Sequence, residues 1–267
     1  MPDPLDLSGR VALVTGGARG IGRAITECLL DAGAEVVICG RSTPEVLPTS
    51  SSKGSGGAAA RTAVFAQGDV RDPEQVGAII AKVLEAFGRL DILVNNAGGA
   101  PPADTATASP KFSTAIVSLN LIAPLICSQQ ANEAMQRQPE GGCIINIASV
   151  SATRPSPDTA AYGAAKAGLL NLTQTMAVEF APKVRVNAVV AGMIRTEQSH
   201  LFYGDEEGIA AVGATVPLGR LGEPSDVANA CLFLASPLAS YISGANLLVH
   251  GGGERPAFLE AAKNTTA

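Results

Sequence analysis

The chain has 267 residues, 46% of them hydrophobic, and a net charge of −5, so it can build a large core and offers no basic surplus for a polyanionic partner. With 4% aromatic residues and no Trp, it also lacks the material of a nucleic-acid stacking platform. The length fits a single α/β domain over residues 1–267.

Cys28, Cys39, Cys127, Cys143 and Cys231 stand far apart in apolar segments, without a CxxC pair or a His at ligand spacing. Free buried thiols in a reducing, cytoplasmic compartment are expected, and no metal site. The first residues form neither a basic nor an apolar leader, and no uninterrupted apolar run approaches the ~18 residues of a bilayer span, so a soluble protein without a membrane partner is expected.

In chain order, residues 11–15 are a continuous apolar run, as a parallel strand covered on both faces requires, and they break at a glycine-rich turn, residues 16–22. A helix over 20–32 follows, stopped by Gly33, and then a strand over 36–39. That order is a βαβ unit. Residues 42–61, rich in Ser, Gly, Pro and Ala, predict a mobile loop replacing most of a helix. A strand over 62–65 comes next, then a helix to 87 capped by Asp72 with Pro73 at its first position, and a fourth strand over 90–94.

A Pro/Ala/Thr-rich loop over 98–110 leads into a helical region reaching about 138. The fifth strand, Ile144-Ile145-Asn146-Ile147-Ala148-Ser149, runs through a polar loop into a helix over 159–181. A sixth strand over 184–190, a small lid over 193–216, a helix from Glu223 to 235, a strand over 245–249 and a loosely held tail at 254–267 complete the reading. The fold class is therefore α/β: a doubly wound parallel sheet of Rossmann type, about seven strands, helices on both faces. Ligands bind such sheets where the strand order reverses.

Gly16, Gly20 and Gly22, between a strand and a helix, allow a tight turn and seat a pyrophosphate at the helix N-terminus, which predicts dinucleotide binding. The spacing is G-x-x-x-G-x-G rather than G-x-G-x-x-G. After the second strand stands Arg41 and no carboxylate, and Arg19 lies inside the turn. Two guanidiniums suit a ribose 2′-phosphate, so NADP(H) is favoured, with NAD(H) as the alternative. Tyr162 and Lys166, four residues apart, share one helix face, and Ser149 ends the neighbouring strand. Alone, that tetrapeptide spacing is poor evidence; the glycine turn and Ser149 give it meaning.

The full set resembles the short-chain dehydrogenase/reductase family from about residue 7 to 253. The matching motifs are Thr15-Gly16 through Gly22, Asp69-Val70, Asn95-Asn96-Ala97-Gly98, Asn120, Ser149, Tyr162-x-x-x-Lys166 and Asn187-Ala188 through Thr196. Pro217-Leu218-Gly219-Arg220 and Glu223-Pro224 look like the subgroup of 3-oxoacyl-thioester reductases and NADPH ketoreductases.

The resemblance implies an NAD(P)-dependent oxidoreductase acting on CH–OH groups, with Asn120, Ser149, Tyr162 and Lys166 catalytic. Tyr162 would be the acid, its phenol drawn toward working pH by Lys166. Ser149 would donate to the substrate oxygen, and Asn120 would hold a water supplying protons through Lys166. It further implies cofactor contacts from Gly16, Arg19, Gly20, Ile21, Gly22, Arg41, Asp69, Val70, Asn95, Ala97, Gly98, Tyr162, Lys166, Gly192, Ile194 and Thr196. Asn95 reads equally well as a structural hydrogen-bonder.

The chain departs from the family pattern at Ala191, where Pro is usual, and at His250, where Asp is common. His250 and His200 read as surface residues before catalytic ones. The resemblance also implies a homotetramer or homodimer built through helices at 110–137 and 160–180 and the last helix and strand. Two other functions remain open: an NAD-dependent secondary alcohol dehydrogenase, and a nucleotide-binding scaffold without turnover. The substrate, a small carbonyl compound or alcohol, is not readable from loops 98–110 and 150–158 or the lid.

Overall fold

The computed structural model describes residues 3–51 and 60–259. Seven strands form one parallel sheet: β1 (Val11–Thr15), β2 (Glu35–Gly40), β3 (Val64–Gln67), β4 (Ile92–Asn95), β5 (Gly142–Ser149), β6 (Val184–Ala191) and β7 (Asn246–Val249). Their order is β3-β2-β1-β4-β5-β6-β7, so the direction of winding reverses between β1 and β4. The crevice outside their carboxyl ends at that reversal is where the motifs gather.

Alternate side chains of each strand feed two cores. On one face Ala12, Val14, Ile92, Val94 and Ile145 meet α1 (Gly20–Asp31) and, through Val227, Cys231 and Leu234, α8 (Pro224–Ala235). On the other, Leu13, Val37, Leu93 and Ile144 meet α2 (Pro73–Phe87) and the helices α3 (Pro110–Val117), α4 (Ala123–Gln136) and α5 (Ala160–Glu179), of which α2, α4 and α5 contribute core side chains such as Val76, Ala131 and Met176.

The caps fall where the sequence places them. Asp72 accepts from the amides of Glu74 (3.0 Å) and Gln75 (3.3 Å) ahead of Pro73, and Gly33, at φ +95°, turns the chain out of α1.

Two expectations change. Strand β3 begins at Val64, two residues later than predicted, because Thr62 pairs instead with Thr49 in an isolated antiparallel bridge. The 42–61 segment has no helix among its described residues, yet its ends are fastened: Ser51 donates to Asp31 from its amide (2.6 Å) and hydroxyl (3.0 Å), and Ser50 donates to the Arg61 carbonyl (2.8 Å). Residues 52–59, the centre of the predicted loop, lie outside the described residues.

One stretch bears on the membrane expectation without changing it. The stretch Pro110–Gln136, in which an 18-residue window has a mean hydropathy of 1.5, is long and apolar enough by composition to cross a bilayer. Here one side of it packs on the sheet through Cys127, Ala131 and Met135. Midway, Ser118–Ile122 forms a π-helical turn.

The lid resolves into α6 (His200–Tyr203) and α7 (Glu206–Thr215). The start of the tail is held by an Arg154–Glu254 ion pair and by Arg255 donating to the Thr215 carbonyl (3.4 Å), and 260–267 fall outside the described residues.

Candidate functional site

The turn after β1 is shaped by glycine. A Cβ on Gly22 would lie 2.3 Å from the Gly16 carbonyl oxygen, and Gly20 sits at φ +51°, where other residues are strained. Arg19, at the N-cap of α1, provides no side-chain cap, and the first helical turn carries no acidic residue. The leading amides of α1 are thus left for an anion from outside the chain.

The end of β4 is stitched to this turn. The Thr15 hydroxyl accepts from the amides of Asn96 (3.0 Å) and Ala97 (2.9 Å), while Asn96 Nδ2 donates to the carbonyls of Thr15 (2.9 Å) and Gly16 (3.2 Å). Asn95 points the other way. Its amide donates to Ser128 (3.0 Å) and Asn146 (2.8 Å) in the interior, and Asn146 in turn donates to Thr173 (2.8 Å). The side chain of Asn95 thus bonds into the interior beneath the sheet end. Its Oδ1 is buried without a partner among the described residues.

Arg19 and Arg41 are both exposed, at the turn and past the end of β2. Val70 is buried, and Asp69 is engaged: Arg71 donates to it at 2.9 Å, which holds that carboxyl below the usual range.

The catalytic candidates meet at the end of β5. Ser149 closes that strand, accepting from the Ser151 amide (3.2 Å), and Tyr162, half-buried, lies in the first turn of α5. One helical turn on, Lys166 is 3% exposed; its ammonium donates to the Ile147 carbonyl (2.8 Å) and lies 5.7 Å from the centre of the Tyr162 ring.

Burial lowers Lys166 to about 8, because a charged amine loses its hydration there. Burial also pushes the Tyr162 phenol up, opposed by the neighbouring Ser149 hydroxyl. The phenol thus stands above its ordinary value in the chain by itself, and the group that draws it down is the Ser149 hydroxyl, where Lys166 was expected.

Gly98 brings the fourth group alongside. A Cβ there would lie 2.7 Å from Asn120 Oδ1 and 3.3 Å from Lys166 Nζ. Asn120 is fully buried in the π-helical turn; its Nδ2 donates to Gly99 O (3.0 Å) and Ile116 O (2.9 Å), and its Oδ1 accepts from Gly99 N (2.9 Å). The Asn120 side chain is spent on the backbone of Gly99 and Ile116. Its main-chain carbonyl loses the usual donor four residues on, since Pro124 has no N–H.

Gly192 follows β6 and donates to Val249 (2.9 Å), with His250 packed where a Cβ would stand. Ile194 bridges to Gly222, and the Thr196 amide donates to Ser199 (2.9 Å). His250 Nδ1 accepts from the Gly252 amide (3.2 Å), a backbone-capping role, and His200 is exposed on the lid. Among the described residues no group of three or more His, Cys, Asp and Glu could hold a metal ion.

A cavity of about 500 Å³ separates α1 from the lid, lined by Gly20, Arg23, Arg195, Thr196, Glu197 and His200 among others. A narrow one of about 40 Å³ lies against Tyr162. The residues named in the sequence without a role of their own are Asn96, Asn146 and Thr15, which fasten the strand ends. Asn146 had a signal: an amide inside Ile-Ile-Asn-Ile-Ala cannot be buried without partners.

A family model described as enoyl-(acyl carrier protein) reductase matches residues 16–254. The chain is 38% identical over 256 residues to a 3α-hydroxysteroid dehydrogenase of Mediterraneibacter gnavus, covering 92% of this chain and 97% of the relative. It is 38% identical over 249 residues to a 3-oxoacyl-[acyl-carrier-protein] reductase of Vibrio cholerae, covering 93% and 98%. The crystal structure of a short-chain type dehydrogenase/reductase from Mycobacterium marinum superimposes with a TM-score of 0.85 at 32% identity, over 95% of this chain and 99% of that one.

Proposed function

Since the chain belongs to the short-chain dehydrogenase/reductase family, in its ketoreductase subgroup, we propose that it moves hydride between NADP(H) and a carbonyl compound or secondary alcohol. The observation that supports this most is the meeting of Ser149, Tyr162 and buried Lys166 beside a glycine turn whose helix no side chain caps.

The dinucleotide, when bound, supplies or accepts the hydride. Gly16, Gly20, Ile21 and Gly22 would hold its diphosphate at the amides of α1. Arg19 and Arg41 would take the 2′-phosphate. Asp69 and Val70 would hold the adenine end, Ala97 and Gly98 would form the wall, and Gly192, Ile194 and Thr196 would hold the nicotinamide end.

The chain handles the proton. A carbonyl oxygen under reduction gains negative charge, which the Ser149 hydroxyl stabilises by donating to it. Tyr162 gives that oxygen its proton. The Lys166 ammonium stabilises the phenolate left behind, countering the desolvation that raises the phenol. The Asn120 carbonyl, without a helical donor from Pro124, holds a water through which Lys166 returns a proton. Oxidation of an alcohol runs the same steps backwards.

Free thiols at all five cysteines suit a reducing cytoplasm. Val178, 79% exposed on α5, and Ile122, 41% exposed beside α4, are apolar side chains on the helices through which a homotetramer would be built.

Tyr162→Phe is expected to bind NADPH as wild type does and to lose turnover by about three orders of magnitude or more; turnover retained across a ketone panel rejects the assignment. Arg41→Ala is expected to raise KM for NADPH about tenfold and leave KM for NADH unchanged. Equal effects on both, or faster wild-type turnover with NADH, favour the NAD-dependent alcohol dehydrogenase instead.

A further inference from the structure

We propose that Asp158 reads the substrate: its carboxylate accepts a hydrogen bond from a hydroxyl on a neutral carbonyl substrate and turns away substrates that carry a carboxylate. The inference rests on the reaction proposed above and names the class of compound it uses.

The cavity against Tyr162 is where this would happen. At about 40 Å³ it has room for roughly three water-sized groups, the end of a short chain. Ala100, Ala103, Phe112 and Ile116 give it apolar walls, and Asp158 is the one formally charged residue lining it.

Neighbouring carboxylates have structural partners. Asp104 accepts from the amides of Ala106 (2.8 Å) and Thr107 (3.0 Å), and Glu254 pairs with Arg154. Among the described residues no ion pair or side-chain hydrogen bond engages the Asp158 carboxylate.

The backbone there is unusual too. Asp158 is the one non-glycine residue among those described with a positive φ, 60°, a conformation costing about 1 kcal/mol that glycine would adopt freely. It is fixed there by the Ala103 amide, which donates to the Asp158 carbonyl (2.7 Å) and ties loop 98–110 to loop 150–158. Asp158, exposed to solvent, thus holds a carboxylate with no bond to the fold among the described residues, in a backbone better suited to glycine, and lines the cavity beside Tyr162. Hydrogen bonds to an ionised acceptor are about twice as strong as neutral ones, and like charges a few ångströms apart repel.

Three ketones of nearly equal size separate the possibilities: 4-hydroxybutan-2-one, pentan-2-one and 3-oxobutanoate, assayed by NADPH consumption. Wild type is expected to rank them in that order by kcat/KM. Asp158→Gly, which suits the backbone, should cut the preference for the hydroxyketone over pentan-2-one about tenfold. It should also raise kcat/KM for 3-oxobutanoate and leave pentan-2-one unchanged. Asp158→Asn, which tolerates the same φ, should keep part of the hydroxyl preference and gain on the acid.

Equal shifts on all three, no shift on any, or wild-type turnover of none of them overturns the inference. Turnover of larger carbonyls would in that case leave the reaction itself standing. Absence of turnover on every carbonyl, with NADPH bound, sinks the reaction instead.

Discussion

The floor of the crevice and its rim are built on opposite terms. In the floor, at the ends of β1, β4 and β5, the backbone passes so close to its neighbours that residue identity is forced: Gly22 against the Gly16 backbone, Gly98 against the buried side chains of Asn120 and Lys166. In the rim, at 98–110, 150–158 and the lid, side chains meet in exposed ion pairs such as Arg195–Glu206, whose side chains are 47% and 76% exposed. The lesson is that a close approach constrains sequence far more tightly than an attraction does, because overlap costs steeply and a solvated charge pair is cheap to lose.

That contrast can be broken by substitution. The largest effect is expected for Gly22→Ala, whose Cβ would lie 2.3 Å from Gly16 O and 2.4 Å from Asn96 Nδ2. Urea unfolding should show a loss of about 3 kcal/mol or more, with nucleotide binding lost as well. A variant of wild-type stability would show that the floor yields after all.

Next comes Lys166, lowered to about 8 when folded. Unfolded, it keeps its proton to about pH 10.4. Between these values the unfolded chain binds a proton the folded chain lacks, so this group's contribution to stability rises with pH. The unfolding free energy of Lys166→Met minus that of wild type should therefore fall by roughly 3 kcal/mol from pH 8 to 10.5. A flat difference would place the ammonium in contact with solvent.

The smallest change belongs to the rim. Arg195→Ala should cost less than about 0.5 kcal/mol in the same unfolding assay; a cost above 2 kcal/mol would make the lid part of the core.

The same division governs what the sequence discloses. Gly16 to Gly22, Asp72-Pro73 and the apolar run into Ser149 are legible because each meets a local rule of backbone geometry or burial, and the structure places the corresponding turn, cap and strand there. Asn95 is legible only as a polar residue. Whether it faces the crevice or Ser128 depends on which side of the sheet it meets, a tertiary fact. Helices α6 and α7 have weak periodicity because so little of them is buried, Ile209 and Gly213 in α7 and nothing in α6. Asp158 carries no local signal, since its conformation is fixed by Ala103, 55 positions earlier in the chain.

The π-helical turn at Ser118–Ile122 also sets a phase. One residue more or fewer in an α-helix rotates everything beyond it by about 100°. Deleting Leu119 would remove such a residue, and either α3 or α4 would then present the wrong side to its neighbours. If α4 keeps its seat on the sheet, Asn120 stays but the segment from Pro110 to Val117 swings round, carrying Phe112 and Ile116 out of the cavity wall. The substrate chamber and the catalytic floor are thus geared together by a single extra residue. A change of length here would alter which compounds fit without touching any group that reacts with them.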